Sequence, residues 1–373
     1  MYQPPGQDRG VWEQVAIESY DYLFTLLEKY PRFCFSLSIA GSLLEQLASF
    51  RPGLLVRLQR LVARQKVELV ATAKHHHVLA LLLPSEVSRQ IRENALTLKK
   101  YFPRARISGF FLPEMAFNKK VAKLVEKAGY QWLILDPLHY KGRPAGAKLY
   151  RLKGSRLKII FRNREISRAY PPRFIYQSLK HKPGAYTLVT ASDAETYGHF
   201  HKDRQGFIEK ILTNKNLAVC TVGQYLKVQT RITSIDLRPA SWESRPAELA
   251  AKNFYSLWQD PKNKIHQALW DLADWASQLL RKYRQDKNWL WARRHLDYGL
   301  SSCTFWWASR RRPSPFSPLT WNPDIVDRGA EELIRSVRSL DRATAQEKIR
   351  AEKIYLRIKE HVWSSHWRYQ QSK

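Results

Sequence analysis

Residues 107–115 read ISGFFLPEM, and this stretch decides the fold. Residues 107–112 form a mainly apolar run of strand length, which ends at Pro113 and the acidic Glu114. A helical pattern precedes this run at residues 85–101, and another follows it after Asn118. A strand between two helices predicts one unit of a parallel sheet, with Glu114 at the carboxyl end of its strand.

The same alternation extends along much of the chain. Helical stripes are predicted at residues 11–29, 174–179 and 207–212, and further strands at residues 33–39, 67–71, 132–135, 157–161, 186–190 and 218–222. About seven strands alternating with helices predict a mostly parallel sheet or barrel. From Pro239 onward only helical stripes remain, so we expect a barrel domain at residues 1–236 and a helical domain at residues 237–373.

Composition excludes several classes of protein. With 44% hydrophobic residues among 373, the chain can fill a large core and is not disordered as a whole. Its longest apolar run, residues 78–84, is far shorter than the roughly 20 residues of a membrane helix, and no basic-then-apolar leader follows Met1. A cytoplasmic protein without a membrane partner is expected, with oligomeric state left open. Its three cysteines, Cys34, Cys220 and Cys303, are expected to be structural free thiols.

Positive charge is concentrated in one segment. The chain has 63 Lys and Arg against 33 Asp and Glu, a formal charge of +30, and residues 141–185 alone carry +12. Such a segment allows unspecific binding of nucleic acid through long-range potential and counterion release. It is equally consistent with an ordinary solvated surface, because charge alone says little about partners.

Polar and ionisable residues follow the predicted strands. Glu114 follows the strand at 107–112 and Arg162 the strand at 157–161, while Asp193, Glu195 and His199 follow the strand at 186–190. The carboxyl ends of parallel strands meet at one rim, so these groups are expected to converge. Two carboxylates across a groove are what retaining glycoside cleavage requires, and Glu114 and Asp193 are the natural pair.

Two other chemistries fit parts of the sequence. His75 and His77 share one face of an extended segment, as do His199 and His201, so a zinc site with Asp193 and metal-dependent deacetylation is an alternative. We predict no metal and no cofactor, because no second ligand cluster of defined spacing accompanies these histidines. The aromatic residues 305–307, Trp306 among them, offer a stacking surface for sugars or bases, or belong to a core between domains.

At residues 109–117, GFFLPEMAF, and 193–199, DAETYGH, the chain resembles glycoside hydrolase family 57. The resemblance runs from Tyr2 to about Arg338. It implies an incomplete (β/α)7 barrel followed by an all-helical domain. It also implies that Glu114 is the nucleophile and Asp193 the acid and base, and that Glu195 and His199 shape the site.

The resemblance assigns further binding residues. His76 matches the family's substrate-contacting histidine, and Gln3 lies in a stretch, YQPP at residues 2–5, that is similar to the opening His-Gln-Pro element with Tyr2 in place of the histidine. The implied activity is hydrolysis or transglycosylation of α-glucans without a metal, of the α-amylase, 4-α-glucanotransferase or branching type. A non-catalytic protein that binds glycan or nucleic acid on a degenerate barrel is the alternative.

Overall fold

The computed structural model describes residues 1–144, 148–181, 187–312 and 319–371. These residues pack into two compact units. The first comprises Met1–Lys74 and Leu79–Trp242, and the second comprises His75–Val78 and Glu243–Lys373.

A mostly parallel sheet forms the centre of the first unit. Its strands among the described residues are β1 (Phe35–Ser38), β2 (Val67–Val70), β3 (Gly109–Phe110), β4 (Trp132–Leu135), β5 (Leu149–Leu152), β6 (Lys158–Phe161) and β7 (Ile232–Ile235). β1 pairs with β2, and a second ladder runs β3-β4-β6-β5-β7. A parallel bridge between Ala71 and Phe110 joins the two ladders. All neighbours are parallel except β5 and β6, so the carboxyl ends of β1 to β4 and β6 lie at one edge.

Helices flank these strands, and the α/β fold is therefore confirmed. They are α1 (Arg9–Val15), α2 (Tyr22–Lys29), α3 (Gly41–Phe50), α4 (Pro52–Ala63), α5 (Pro84–Tyr101), α6 (Lys119–Lys127), α7 (Arg164–Ser167), α8 (Pro171–His181), α9 (Phe207–Leu212) and α10 (Val222–Lys227). α6 shows why they begin and end where they do. The Asn118 side chain accepts a hydrogen bond from Val121 N, and Gly129 ends the helix at φ 93°.

The core of this unit lies between the sheet and its helices. The indole of Trp12, the phenyl rings of Phe24, Phe110 and Phe117, and Leu43 are almost fully buried there. The apolar faces of the helices and of the strands pack together in this core. This packing fixes the positions of the strands and therefore of the residues that follow them.

Several predicted elements differ in the structure. Of the predicted strand 186–190, residue 186 lies outside the described part of the chain, and residues 187–190 form no strand. Residues 218–221 are also irregular, because Thr221 caps α10 in a capping box with Gln224. The sequence patterns did not predict β5 and β7. The single helix predicted for residues 11–29 contains a π-helical turn, Ala16–Asp21.

The described part of the second unit contains helices only. They are α11 (Pro246–Ala250), α12 (Lys264–Lys282), α13 (Trp289–Gly299), α14 (Ser302–Trp306), α15 (Pro323–Arg338) and α16 (Ala345–Gln371). α12, α13, α15 and α16 pack on one another through buried Leu, Ala and Ile side chains. Of the predicted loop at residues 310–315, only 310–312 are described.

No helix in the described parts of either unit has both the length and the hydropathy needed to cross a lipid bilayer.

Candidate active site

Glu114 lies in a strained turn that begins three residues after β3 ends. The turn is a single 3₁₀ turn, Pro113–Met115, in which Glu114 has φ 59° and Met115 has φ 46°. Left-handed conformations of this kind cost of the order of 1–3 kcal/mol for residues other than glycine, and they persist only where the surroundings fix them. The turn therefore holds the Glu114 carboxylate in one direction at the strand end.

Trp242 fixes the side chain and the backbone of Glu114. Its indole Nε1 donates to Oε2 of Glu114 at 3.0 Å, and its backbone N donates to the Glu114 carbonyl at 3.3 Å. Two residues earlier, Ala240 is bridged to Phe117 by a pair of backbone hydrogen bonds. A chain segment more than 100 residues away in sequence thus positions the carboxylate.

His139 contacts the same turn through the carbonyl of Met115. It is fully buried, and its Nε2 lies 2.8 Å from the Met115 carbonyl and 3.0 Å from the Ala240 carbonyl. Its Nδ1 lies 2.7 Å from the Asp136 carbonyl. Burial lowers the pKa of His139, although these carbonyls favour the protonated ring. The imidazole ties the Glu114 turn, the residue 240 segment and the end of β4 together.

A buried carboxylate, Asp136, joins the two halves of the site. Oδ2 of Asp136 accepts from Nε of Arg162 at 2.9 Å, and its Oδ1 lies 2.8 Å from Nη1 of Arg164. Arg164 also donates to the carbonyl of Trp242, while Arg162 donates to the carbonyl of Ala191 at 3.0 Å. One path of hydrogen bonds and ion pairs therefore leads from the partner of Glu114 to the segment that carries Asp193.

Asp193 is exposed to solvent. It immediately precedes the 3₁₀ turn Ala194–Thr196. The low-dielectric surroundings and the negative charge of Glu195 raise the pKa of Asp193, against the opposing effect of the Met1 amine and Arg162. A carboxyl group in this setting retains its proton to a higher pH than an ordinary aspartate.

Glu195 is a buried member of the same loop. Its Oε1 accepts from the hydroxyl of Tyr20 at 2.5 Å and from Nε2 of Gln3 at 3.2 Å. Burial and the adjacent Glu195 raise the pKa of Tyr20, so that its hydroxyl remains a donor. Gln3 and Glu195, which were predicted separately as binding residues, are thus brought together. Tyr20 completes a network that the sequence alone did not indicate.

His199 lies at the far end of this loop, against the π-helical turn. Its Nδ1 is 2.7 Å from Oε2 of Glu18, whose Oε1 accepts from Lys202 at 2.5 Å. Hydrogen bonds from Lys202 and His199 lower the pKa of Glu18 to about 2. The hydroxyl of Ser19, next in the turn, donates to the Ala194 carbonyl at 2.7 Å.

Gly198 allows this close approach. It has φ 94°, and a Cβ atom built on it would lie 1.9 Å from the carbonyl oxygen of Glu18. Only glycine combines that backbone conformation with that contact. The π-helical turn and the loop therefore dock backbone to backbone, which fits the frequent occurrence of π-turns at functional sites.

Two predicted binding residues belong to the second unit. His76 has φ 54°, and its Nδ1 lies 3.0 Å from Oγ of Ser302. Burial lowers the pKa of His76 to about 3, so the ring is neutral across the physiological range. Trp306, at the end of α14, packs edge to face on Trp307, with the ring centroids 4.7 Å apart.

The histidines considered as zinc ligands are engaged in other contacts. His75 and His77 stack with ring centroids 6.0 Å apart, and Nε2 of His77 lies 2.8 Å from the carbonyl of Asp297. His201 packs on Tyr170 at 5.3 Å, and its carbonyl accepts from Gly198 N. The rings of His75, His77 and His201 therefore each pack against other residues of their own unit.

The sequence patterns missed Trp242, Tyr20 and Arg164 as site residues. Trp242 lies in no predicted strand or helix. Tyr20 lies on the apolar stripe of a predicted amphipathic helix, where an aromatic residue is expected to belong to the hydrophobic core. The hydroxyl of Tyr20 is the feature that could have indicated its role, because the side chain is fully buried and a buried hydroxyl requires a hydrogen-bond partner.

The family model of glycosyl hydrolase family 57 matches residues 11–235. An α-amylase of Pyrococcus horikoshii is 27% identical over 139 residues, which is 37% of this chain and 22% of that protein. A 4-α-glucanotransferase of Thermococcus litoralis is 26% identical over 141 residues, 37% of this chain and 21% of that protein. The matched segment thus spans about a fifth of the length of these curated relatives.

Solved structures share the fold. The T. litoralis 4-α-glucanotransferase superimposes with a TM-score of 0.69 at 18% identity, over 91% of this chain and 58% of that chain. The α-amylase AmyC of Thermotoga maritima gives a TM-score of 0.68 at 13% identity, over 97% of both chains. Since the family model covers more than half of the sequence, the chain belongs to glycosyl hydrolase family 57.

Proposed function

We propose that this protein is a retaining hydrolase or transglycosylase of α-glucans, with Glu114 as nucleophile and Asp193 as acid and base. The observation that carries the proposal is the contrast between the two carboxyl groups. Glu114 accepts a hydrogen bond from the indole N–H of Trp242, whereas the surroundings of Asp193 raise the pKa of that carboxyl group. Retaining cleavage needs one ionised and one protonated carboxyl group at the start.

The two carboxyl groups divide the proton transfers between them. Protonated Asp193 would give its proton to the glycosidic oxygen as the Glu114 carboxylate attacks the anomeric carbon, which releases the leaving sugar and leaves a glycosyl ester. Asp193, now ionised, would then accept a proton from water or from a sugar hydroxyl as that oxygen attacks the ester. Water yields hydrolysis and a sugar yields transfer.

The remaining predicted residues take supporting roles in this proposal. Glu195, held by Gln3 and Tyr20, would keep the pKa of Asp193 high. Arg162 is a positioning residue, because its guanidinium is committed to Asp136 and the Ala191 carbonyl. His76 would contact substrate as a neutral ring, and Trp306 would provide a stacking face. His199 would hold the acid/base loop through Glu18.

The architecture we propose is an incomplete (β/α)7 barrel at residues 1–236, followed by an all-helical domain at residues 237–373. Its support is the succession β1, β2, β3, β4, β6 of parallel strands, which follow one another in space in chain order. A cytoplasmic location remains a prediction.

Product analysis with maltooligosaccharides and a branched glucan tests the proposed activity. Wild type is expected to shorten or redistribute the chains with retention at the anomeric carbon, and Glu114→Gln and Asp193→Asn to lose this activity. Glu126→Gln is the matched control, because Glu126 bonds to Ser155 and Arg156 instead. Unchanged turnover in Glu114→Gln would reject the nucleophile assignment.

A non-catalytic binding protein is the second candidate. The observation in its favour is that Arg151 on β5 lies directly opposite Lys158 on β6, a like-charge pair that costs stability unless an anion is near. Affinity for single-stranded nucleic acid that falls steeply with salt, together with no glucan turnover, would favour this function.

A further inference from the structure

Two cysteines outside the candidate active site approach each other across a long stretch of sequence. Cys34 is buried immediately before β1, and Cys220 is exposed shortly before α10. The sulfur of Cys34 lies 3.5 Å from the carbonyl oxygen of Val219. It also lies 3.6 Å from Oε1 of Gln224 and hydrogen-bonds with the backbone of Thr221. Since Val219 and Thr221 flank Cys220, the Cys34 sulfur lies beside the chain segment that carries Cys220.

The segment that carries Cys220 is fixed beside the first two strands. The backbone N of Val222 donates to Oγ of Ser36 at 2.8 Å, and the backbone N of Gly223 donates to Oε2 of Glu68 at 2.9 Å. The Thr221 capping box adds a local constraint. The two cysteines are therefore held together by contacts that do not involve either thiol.

We propose that Cys34 and Cys220 form a redox pair that closes into a disulfide in the presence of a small-molecule disulfide. A disulfide needs Cα atoms roughly 4.4–6.8 Å apart, a range that is compatible with a Cys34 sulfur already in contact with both neighbours of Cys220. The two residues play different parts, because Cys220 is exposed and Cys34 is buried. Cys220 meets the oxidant, and Cys34 resolves the intermediate.

With oxidised glutathione as the oxidant, the exchange balances. The Cys220 thiolate attacks one glutathione sulfur, its S–S bond breaks, and one glutathione thiolate leaves. The Cys34 thiolate then attacks the Cys220 sulfur, and the second glutathione thiolate leaves. Both cysteines are oxidised, and the two glutathione thiolates take up the two protons released. Burial raises the pKa of each thiol, so the reaction is expected to accelerate as pH increases.

The bond would tie the start of β1 to the segment before α10. Cross-links that close long loops restrict the unfolded chain most, and they stabilise the folded state where the native geometry accommodates them. The pair therefore makes the stability of the first unit responsive to redox conditions. This inference does not depend on the proposed glucan activity.

Thiol mapping of the full chain tests the pair. Purified protein is equilibrated with oxidised glutathione or dithiothreitol, the remaining thiols are alkylated, and the peptides are identified by mass spectrometry. A peptide linked through Cys34 and Cys220 is expected in the oxidised sample, with a Tm higher than in dithiothreitol. Cys303→Ser should behave like wild type, whereas Cys34→Ser should stop at a glutathione adduct on Cys220.

Three results would overturn the proposal. They are a glutathione adduct that persists on Cys220 of the wild type beside an alkylated Cys34, a link to Cys303 instead, and full alkylation of both thiols after equilibration at alkaline pH. A linked peptide without a rise in Tm would reject the stabilising role of the bond.

Discussion

The indole nitrogen of Trp242 lies 3.0 Å from Oε2 of Glu114 and fixes a carboxylate whose own backbone is strained. The turn after β3 sets the backbone direction at Glu114, and the segment after β7 provides the hydrogen-bond donor to its carboxylate. Buried Asp136 connects this pair to the loop of Asp193 through two arginines.

Trp242→Phe removes the donor to Glu114 and keeps most of the ring. We expect kcat to fall about tenfold to a hundredfold with little change in KM, because loss of orientation at a reacting group costs that much. Steady-state kinetics on maltooligosaccharides measures it. Trp132→Phe is the control, since Trp132 donates to Ser108 at the opposite end of its strand. Equal loss in both variants would mean that the indole N–H of Trp242 has no special role.

Glu195→Gln removes a negative charge beside Asp193 while an oxygen remains to accept from Tyr20. The charge of Glu195 raises the pKa of Asp193, so its removal lowers that pKa. Asp193 must be protonated for the first step, and its ionisation sets the alkaline limb of the activity profile. That limb of kcat/KM against pH should therefore move to lower pH. Glu126→Gln should leave it in place, and a limb that does not move in Glu195→Gln would contradict the assignment of Asp193.

Asp136→Asn removes the charge between two arginines. Asp136 is fully buried and pairs with buried Arg162 and partly buried Arg164, and breaking a buried pair by removing one partner costs about 3–5 kcal/mol. We expect a loss of this size in the free energy of unfolding, measured by urea denaturation. Asp271→Asn is the comparison, because its partner Arg357 is exposed and such pairs contribute about 0–1 kcal/mol. A similarly small decrease in the free energy of unfolding of both variants would show that Asp136 does not link the Glu114 turn to the loop of Asp193.

Gly198→Ala tests the docking of the loop on the π-helical turn. Gly154 also has a positive φ, 75°, but a Cβ atom there would meet nothing within 4 Å. Gly154→Ala should cost about 1–2 kcal/mol for the left-handed backbone alone. Gly198→Ala should cost more and reduce turnover as well, because the loop must move away from Glu18. Thermal unfolding and kinetics of both variants decide this, and equal effects would rule out the backbone contact as a constraint.

The sequence predicted those parts of the fold that local patterns determine. β4, Trp132–Leu135, was predicted with its observed bounds, because a short apolar run lies between Gly129 and Asp136-Pro137. The strand predicted at residues 218–222 was wrong because the capping box of Thr221 starts a helix there, which apolar content does not show. β7, with sequence ITSI, was missed because its two central residues are polar and exposed.

The site was predictable only in part. Position at a strand end indicated Glu114 as a candidate, because parallel strands bring their carboxyl ends together. Asp193 was indicated by a strand predicted at residues 186–190, of which the described residues 187–190 form none. The contacts that orient them join residues far apart in sequence, such as Trp242 with Glu114 and Gln3 with Glu195. Nor does the sequence show the π-helical turn, since its stripe is continuous with that of α1 and α2.

Azide rescue tests the central assignment most directly. Glu114→Gly suits the observed φ of 59° and removes the carboxylate. With an activated α-maltosyl donor and azide, this variant is expected to form the β-glycosyl azide, because azide enters from the face of the missing nucleophile. Asp193→Gly should instead give the α-glycosyl azide, because the glycosyl ester on Glu114 still forms. An α-azide from Glu114→Gly, or turnover in that variant without azide, would contradict the account.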